Sequence, residues 1–209
     1  MLFADRAEAG RLLAERLTSL PRERLVVLAL PRGGVPVALP VARHLAAPLD
    51  IILVRKVGVP AQPELAMGAI GEGDVLVVDQ EVVRMAGVSR EEFAAVEAHE
   101  RAELERRAAK FRGGRPRVAI EGNRVVVIDD GIATGSTMRA ACRVARAARA
   151  EQVVVATPVA PVTTVANLAA DADDVVVLSM PARFAAIGQF YRDFTQTSDD
   201  EVLRLLSAG

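Results

Sequence analysis

The sequence of 209 residues contains one cysteine, two histidines, one tyrosine and no tryptophan. Cys142 alone cannot form an intramolecular disulfide, and the well-separated His44 and His99 supply no ligand set for a structural zinc site. A reducing, cytoplasmic setting is the expectation. No apolar run approaches the ~20 residues that span a bilayer. The opening MLFADRAEAGRLLAERL is charged throughout, unlike a secretory signal. An excess of charge is also lacking: 26 basic against 27 acidic residues give a formal charge of −1. Such a chain has no global field to collect nucleic acid or an anionic membrane, so neither is favoured as a partner. Lysine is scarce, with only Lys56 and Lys110 among the basic residues.

What is abundant is apolar sequence, 51% of the chain against 25% charged, as in an ordinary globular protein. A chain of this length buries most of its apolar surface in one substantial domain. Segments rich in valine, isoleucine and leucine alternate with helical patterns, and the strand-like segments are continuously apolar, which is how a buried parallel sheet reads. Strands are expected near 25–30, 50–55, 124–128, 152–156 and 174–178, and helices near 5–19, 35–46, 137–149 and 162–170. The fold class is therefore α/β: a mainly parallel, doubly wound sheet with helices on both faces and ligands at the carboxyl ends of the strands.

The alternation breaks between Val59 and Asp79, where LAMGAI and VLVV flank Gly71-Glu72-Gly73-Asp74. This reads as a hairpin or mobile flap. Ser89 and Glu92 then have capping-box spacing before a charge-dense helix to about Lys110, with Phe93, Val96, Ala108 and Phe111 turned inward. Flap and helical insertion occupy about 57–117 of the single domain. The role of the helix at about 90–111 is unassigned by the sequence.

The most informative stretch is VVVIDDGIATGST, residues 125–137: a buried strand, two acids, and a glycine-rich turn into a helix. Gly131 and Gly135 permit tight turns around Ile132 and Ala133. Thr134, Ser136 and Thr137 bring hydroxyls and amides to a helix N-terminus, where unpaired N–H groups attract phosphate. Asp129 and Asp130 stand at the strand end, placed to accept hydrogen bonds from ribose hydroxyls or to approach a metal that those hydroxyls coordinate. No GxxxxGK[ST] or GxGxxG offers a rival phosphate site.

This stretch resembles the phosphoribosyl pyrophosphate motif of the type I phosphoribosyltransferases. Two further places match in the same order: Pro31-Arg32-Gly33-Gly34, similar to the family's pyrophosphate loop, and Arg55-Lys56-Val57-Gly58, similar to its Arg-Lys pair. Adjacent glycines at 33 and 34 would let backbone amides face an anion, with Arg32 adding charge. A lysine at a strand end is notable in so lysine-poor a chain. The resemblance covers roughly residues 25–180. It implies a magnesium-dependent transfer of phosphoribose to a nitrogen nucleophile of a small-molecule acceptor. Lys56, Asp129 and Asp130 would carry the chemistry, and Mg2+ would lie near Asp129 and Asp130 through hydroxyls or water. The flap would close to exclude water. A second reading keeps the fold as a catalytically silent sensor of phosphoribosyl pyrophosphate or nucleotides. For a third, a phosphosugar hydrolase, no nucleophile and base pair is found.

The family's hood corresponds to about 181–209, where FAAIGQFYRDF (184–194) holds four of the seven aromatic residues. Three readings stand: Phe190 or Tyr191 stacks on an acceptor base, the cluster anchors the tail, or it forms a homodimer contact. The tail helix has Ser198 or Asp199 as its cap. Cys142 shares an apolar stripe with Met138, Ala141, Ala145 and Ala148, and core packing is the expectation.

Overall fold

The computed structural model describes residues 1–208. Five strands form one parallel sheet: β1 (Leu25–Ala29), β2 (Leu49–Ile51), β6 (Arg124–Ile128), β7 (Gln152–Val159) and β8 (Asp174–Ser179), in the order β2-β1-β6-β7-β8. Side-chain alternation sends Val27, Ala29, Val126, Ile128 and Val154 into one core, where α1 (Arg6–Arg16), α2 (Gly34–Leu45) and α7 (Asp199–Leu206) pack. Val26, Leu28, Val125, Val127 and Val153 enter the other, beneath α5 (Ser136–Ala147) and α6 (Val162–Leu168). With both faces covered, the central strands β1, β6 and β7 read as nearly continuous apolar runs. Strand order reverses beside β1, where β1 and β6 pair from Leu25↔Arg124 to Ala29↔Ile128, so the loops after these strands share one crevice.

The strand expected at 50–55 is two strands. β2 ends at Ile51, and Ile52 and Leu53 carry the chain into β3 (Val54–Val59) of a separate antiparallel sheet with β4 (Gln62–Gly71) and β5 (Leu76–Val78). A continuous apolar pattern conceals the change of sheet because Ile52 and Leu53 are buried as deeply as the strands around them. The hairpin around Gly71-Glu72-Gly73-Asp74 is present as β4 and β5, closed by the Gly71 amide donating to the Val75 carbonyl at 3.0 Å. A short helix not evident from the sequence, α3 (Gln80–Met85), follows, capped by Asp79.

The charge-dense helix is α4 (Arg90–Arg112), opened by the expected capping box of Ser89 and Glu92. Leu104 and Phe111 are buried, and Phe93, Val96 and Ala108 pack partly buried against the same core. At its end Arg112 donates to both oxygens of Asp50 at 3.0 and 3.1 Å and pairs with Glu72, tying α4 to β2 and to the hairpin. On α5, Met138, Ala141, Cys142 and Ala145 are buried as expected, whereas Ala148 lies at the C-cap. Burial pushes the Cys142 thiol up to about 12, consistent with a packing role.

Candidate functional site

At the carboxyl end of β6, Asp129 is half-buried and Asp130 buried. Asp129 accepts from the Asp130 amide through Oδ1 at 2.9 Å, and its carbonyl accepts from Thr157 Oγ1 at 3.2 Å. The following turn is pinned twice: the Ile132 amide donates to the Val159 carbonyl at 2.9 Å, and Thr164 Oγ1 donates to the Ala133 carbonyl at 2.6 Å. Gly135, at φ 80°, sits in the left-handed region that admits the turn and provides the N-cap of α5 with no side-chain capping bond. The first-turn amides of α5 thus have neither an intrahelical nor a side-chain partner, and Ala133, Thr134 and Thr137 face solvent. That is an anion-receptive end beside two carboxylates.

The electrostatics of the acid pair are unequal. Burial, followed by the adjacent charge of Asp130, raises the Asp129 carboxyl well above the ordinary carboxylate range. Burial also raises Asp130, but there it is opposed by Arg6, whose Nε donates to Oδ2 at 2.7 Å. Arg6 is a residue that sequence reasoning missed; nothing in ADRAEAG marks it as reaching a site 124 positions away.

Across the crevice runs the loop after β1. A Cβ on Gly33 would collide with the Asp130 carboxylate, and one on Gly34 would lie 2.6 Å from the Ile128 carbonyl oxygen and 3.1 Å from the Asp129 Cα. The two glycines are therefore required for close approach to the acid pair. This corrects the expectation that both amides face an anion, because the Gly34 amide is engaged with the Leu30 carbonyl at 3.0 Å. The Pro31–Arg32 peptide is cis, and the Arg32 guanidinium points toward Asp199 at 3.6 Å.

Arg55 and Lys56 lie on β3, in the second sheet. Arg55 Nε donates to Glu100 of α4 at 2.6 Å, and Lys56 Nζ stands 3.7 Å from the exposed Glu64. Both line a cavity of about 450 Å³ that also touches Thr137, which brings the β3 residues to the same site as the β6 loop.

Of the three readings of the aromatic segment, the structure supports the anchor. Phe190 and Tyr191 are buried, Phe184 and Phe190 stack at 5.6 Å, and Phe3 packs on Tyr191 at 5.4 Å. The Tyr191 hydroxyl donates to the Asp130 carbonyl at 2.6 Å. Neither ring offers a free face to a base, which corrects the stacking expectation.

Among the described residues no group of three or more His, Cys, Asp or Glu side chains could cage a metal. The donor set nevertheless suits magnesium held mainly by water and ligand oxygens, with Asp129 as the nearby hard anion. Asp130 is engaged by Arg6.

A parallel sheet that reverses beside β1, with an acid pair and an uncapped helix N-terminus at its crevice, defines an α/β protein with an anion-receptive site at the carboxyl ends of its strands. Comparison narrows the class: the phosphoribosyl transferase domain model matches residues 3–194, and the chain belongs to that family. It is 56% identical over 205 residues to a Mycobacterium tuberculosis protein named "Putative phosphoribosyl transferase Rv0571c". The match covers 98% of this chain and 46% of that protein, so the chain spans about half the length of the curated relatives it matches. The crystal structure of TT1426 from Thermus thermophilus superposes with a TM-score of 0.93 at 47% identity, covering 99% of this chain and 98% of that one. A hypothetical protein from Neisseria gonorrhoeae, solved with bound ppGpp, shares the fold alone, at 12% identity and a TM-score of 0.51 over 100% of this chain and 96% of that one. No helix is long and apolar enough to cross a membrane among the described residues.

Proposed function

We propose that the chain binds phosphoribosyl pyrophosphate with magnesium and transfers its 5-phosphoribosyl group to a nitrogen nucleophile of a small, heterocyclic acceptor, releasing pyrophosphate. The observation that carries this reading is the juxtaposition of Asp129 and Asp130 with the uncapped N-terminus of α5. Ribose hydroxyls donate to the carboxylates while the 5-phosphate accepts from the amides of the 134–137 turn. The loop of Arg32 and Gly33, with Arg55 and Lys56 opposite, borders the pyrophosphate. Magnesium, when bound, offsets charge that develops on the leaving group. Lys56, which shares a cavity with Thr137 of the α5 N-terminus, acts as that charge develops, so Lys56→Ala should lower kcat more than it raises KM.

Ala133 stands, exposed, directly before the Thr134-Gly135 pair. A methyl group can neither take a proton from a purine nor hydrogen-bond to it, so 6-oxopurines should be poor acceptors. The test is incubation with phosphoribosyl pyrophosphate, magnesium and a panel of bases, monitored for pyrophosphate release and nucleotide formation. Turnover with at least one base is the expected result. Binding without turnover would favour the sensor reading, and efficient formation of inosine monophosphate from hypoxanthine would overturn the assignment made to Ala133.

A further inference from the structure

Between the aromatic anchor and α7 the chain runs through DFTQTSDDE, residues 193–201, a polar stretch outside the 129–137 site. Its turns are held locally. Asp193 Oδ1 accepts from the Thr195 amide at 2.9 Å and from Thr195 Oγ1 at 2.6 Å, and Ser198 Oγ accepts from the Glu201 amide at 3.1 Å. The start of α1 lies alongside, with Asp5 Oδ1 accepting from the Glu8 amide at 2.7 Å. Asp5, Arg6, Asp193, Gln196, Thr197 and Glu201 meet around a cavity of about 380 Å³. Among the described residues Asp5, Asp193 and Glu201 form no ion pair, and the cation in the lining, Arg6, is committed to Asp130 and to the Thr195 carbonyl. Three carboxylates thus share a space with no cation to spare.

A second observation is independent of charge. Thr197 is only 4% exposed, yet its hydroxyl makes no hydrogen bond among the described residues. Buried polar side chains are normally paired. Among the described residues no side-chain oxygen or nitrogen is both sealed from solvent and unpaired, so Thr197 Oγ1 opens onto the cavity that Thr197 lines. We propose that this cavity binds a small, two-ended organic cation, a diamine, whose ammonium groups donate to the free oxygens of Asp5, Asp193 and Glu201 and to Thr197 Oγ1. An ammonium has three donors and no acceptor, which suits a lining of carboxylates and a hydroxyl. A metal ion suits it less, because among the described residues no three acids converge on one point. The cavity is separate from the acid pair: Arg6 lines it and gives its Nε to Asp130 Oδ2 at 2.7 Å, but neither Asp129 nor Asp130 is in the lining. The assignment does not depend on the function proposed above.

The experiment is calorimetric titration of the whole chain with putrescine and with cadaverine at fixed ionic strength. Butylamine is the one-ended control, and melting curves confirm the folding of each variant. Uptake of a diamine, tighter than that of butylamine, is the expected result. Asp193→Asn/Glu201→Gln should weaken it at least about tenfold, because the shapes are kept while two charge-assisted hydrogen bonds are lost. Glu91→Gln/Glu105→Gln removes the same charge from exposed positions on α4 and should change little. Thr197→Val should weaken uptake roughly threefold without lowering the melting temperature, since the deleted hydroxyl has no partner in the protein. The proposal is overturned if wild type takes up neither diamine, or if the α4 variant loses as much affinity as Asp193→Asn/Glu201→Gln does. Asp129→Asn should leave uptake as it is in wild type; an equal loss there would place the cation at the acid pair and overturn the separate site. Butylamine bound as tightly as the diamines would refute the two-ended ligand. A Thr197→Val protein that melts below wild type and binds the diamine unchanged would show that the hydroxyl serves the fold, and would remove it from the site.

Discussion

Asp129 is held where its own charge is disfavoured, by burial first and by Asp130 second. A carboxyl whose pKa is raised by folding is less stable when ionised in the native chain than in the unfolded one. Its contribution is therefore fully present below the unfolded pKa and lost as pH rises through the native value. At neutral pH its ionised form costs stability, which is the expected condition of a group kept for binding. Asp129→Asn should accordingly raise the melting temperature by a few degrees, about 1 kcal/mol, while weakening affinity for phosphoribosyl pyrophosphate. A lowered melting temperature would show that the carboxylate stabilises the fold. Arg6→Gln should do the opposite: with the 2.7 Å pair to Asp130 removed and both side chains about one-tenth exposed, an uncompensated charge remains. The loss should be roughly 3 kcal/mol by thermal or denaturant unfolding. Equal stability of this variant and wild type would refute the claim that Arg6 is what makes the buried acid tolerable.

At the scale of elements, α5 must be fixed if its first turn is to meet a ligand at constant geometry. Its outer face is tied by Asp171, which accepts from Arg139 Nε at 2.6 Å and from Arg143 Nε at 2.8 Å. Burial works against the Asp171 charge, yet those two bonds hold its carboxyl below the ordinary value of 3.8. A depressed acid contributes stability that is present above its unfolded pKa and lost as pH falls through the native one. Asp171→Asn should thus cost about 1–3 kcal/mol at neutral pH, with the gap to wild type closing in strong acid; a gap independent of pH would mean that shape, not charge, sets the tie. The β6 strand, its loop and the start of α5 were legible in the sequence because one local stretch, 125–137, holds the strand end, the turn and the first residues of the helix. The second sheet was only half legible. Its hairpin is local, but the break between β2 and β3 depends on where two buried residues, Ile52 and Leu53, hand the chain to a new partner strand, and no local signal encodes that choice. Gly33 and Gly34 stood out in the sequence as a glycine pair, but their close approach to the Asp129-Asp130 pair is a tertiary fact that the local sequence does not carry.

At the scale of the whole molecule, the segment around Phe3 and the segment around Tyr191 meet beside the loop that follows β6. Phe3 donates its amide to the Phe190 carbonyl at 2.8 Å, and Arg192 returns a bond to the Phe3 carbonyl at 2.8 Å. From this junction Arg6 reaches the Asp130 carboxylate, and the Tyr191 hydroxyl reaches the Asp130 carbonyl. Two residues separated by most of the sequence thus support the same acid, and such long-range partners carry no motif. A ligand that engages Asp130 should therefore steady segments it does not touch, because native-state opening of the junction and loss of the site are linked. We expect phosphoribosyl pyrophosphate with magnesium to slow hydrogen exchange at the amides of Phe3 and Arg192. Tyr191→Phe keeps the ring packed against Phe3 and Phe194 but deletes the hydroxyl. It should cost about 1 kcal/mol of stability and reduce the ligand-induced protection at those amides more than at β1. Undiminished protection in Tyr191→Phe would show that the junction communicates with the site through Arg6 alone, and combining the variant with Arg6→Gln would then remove the remaining coupling.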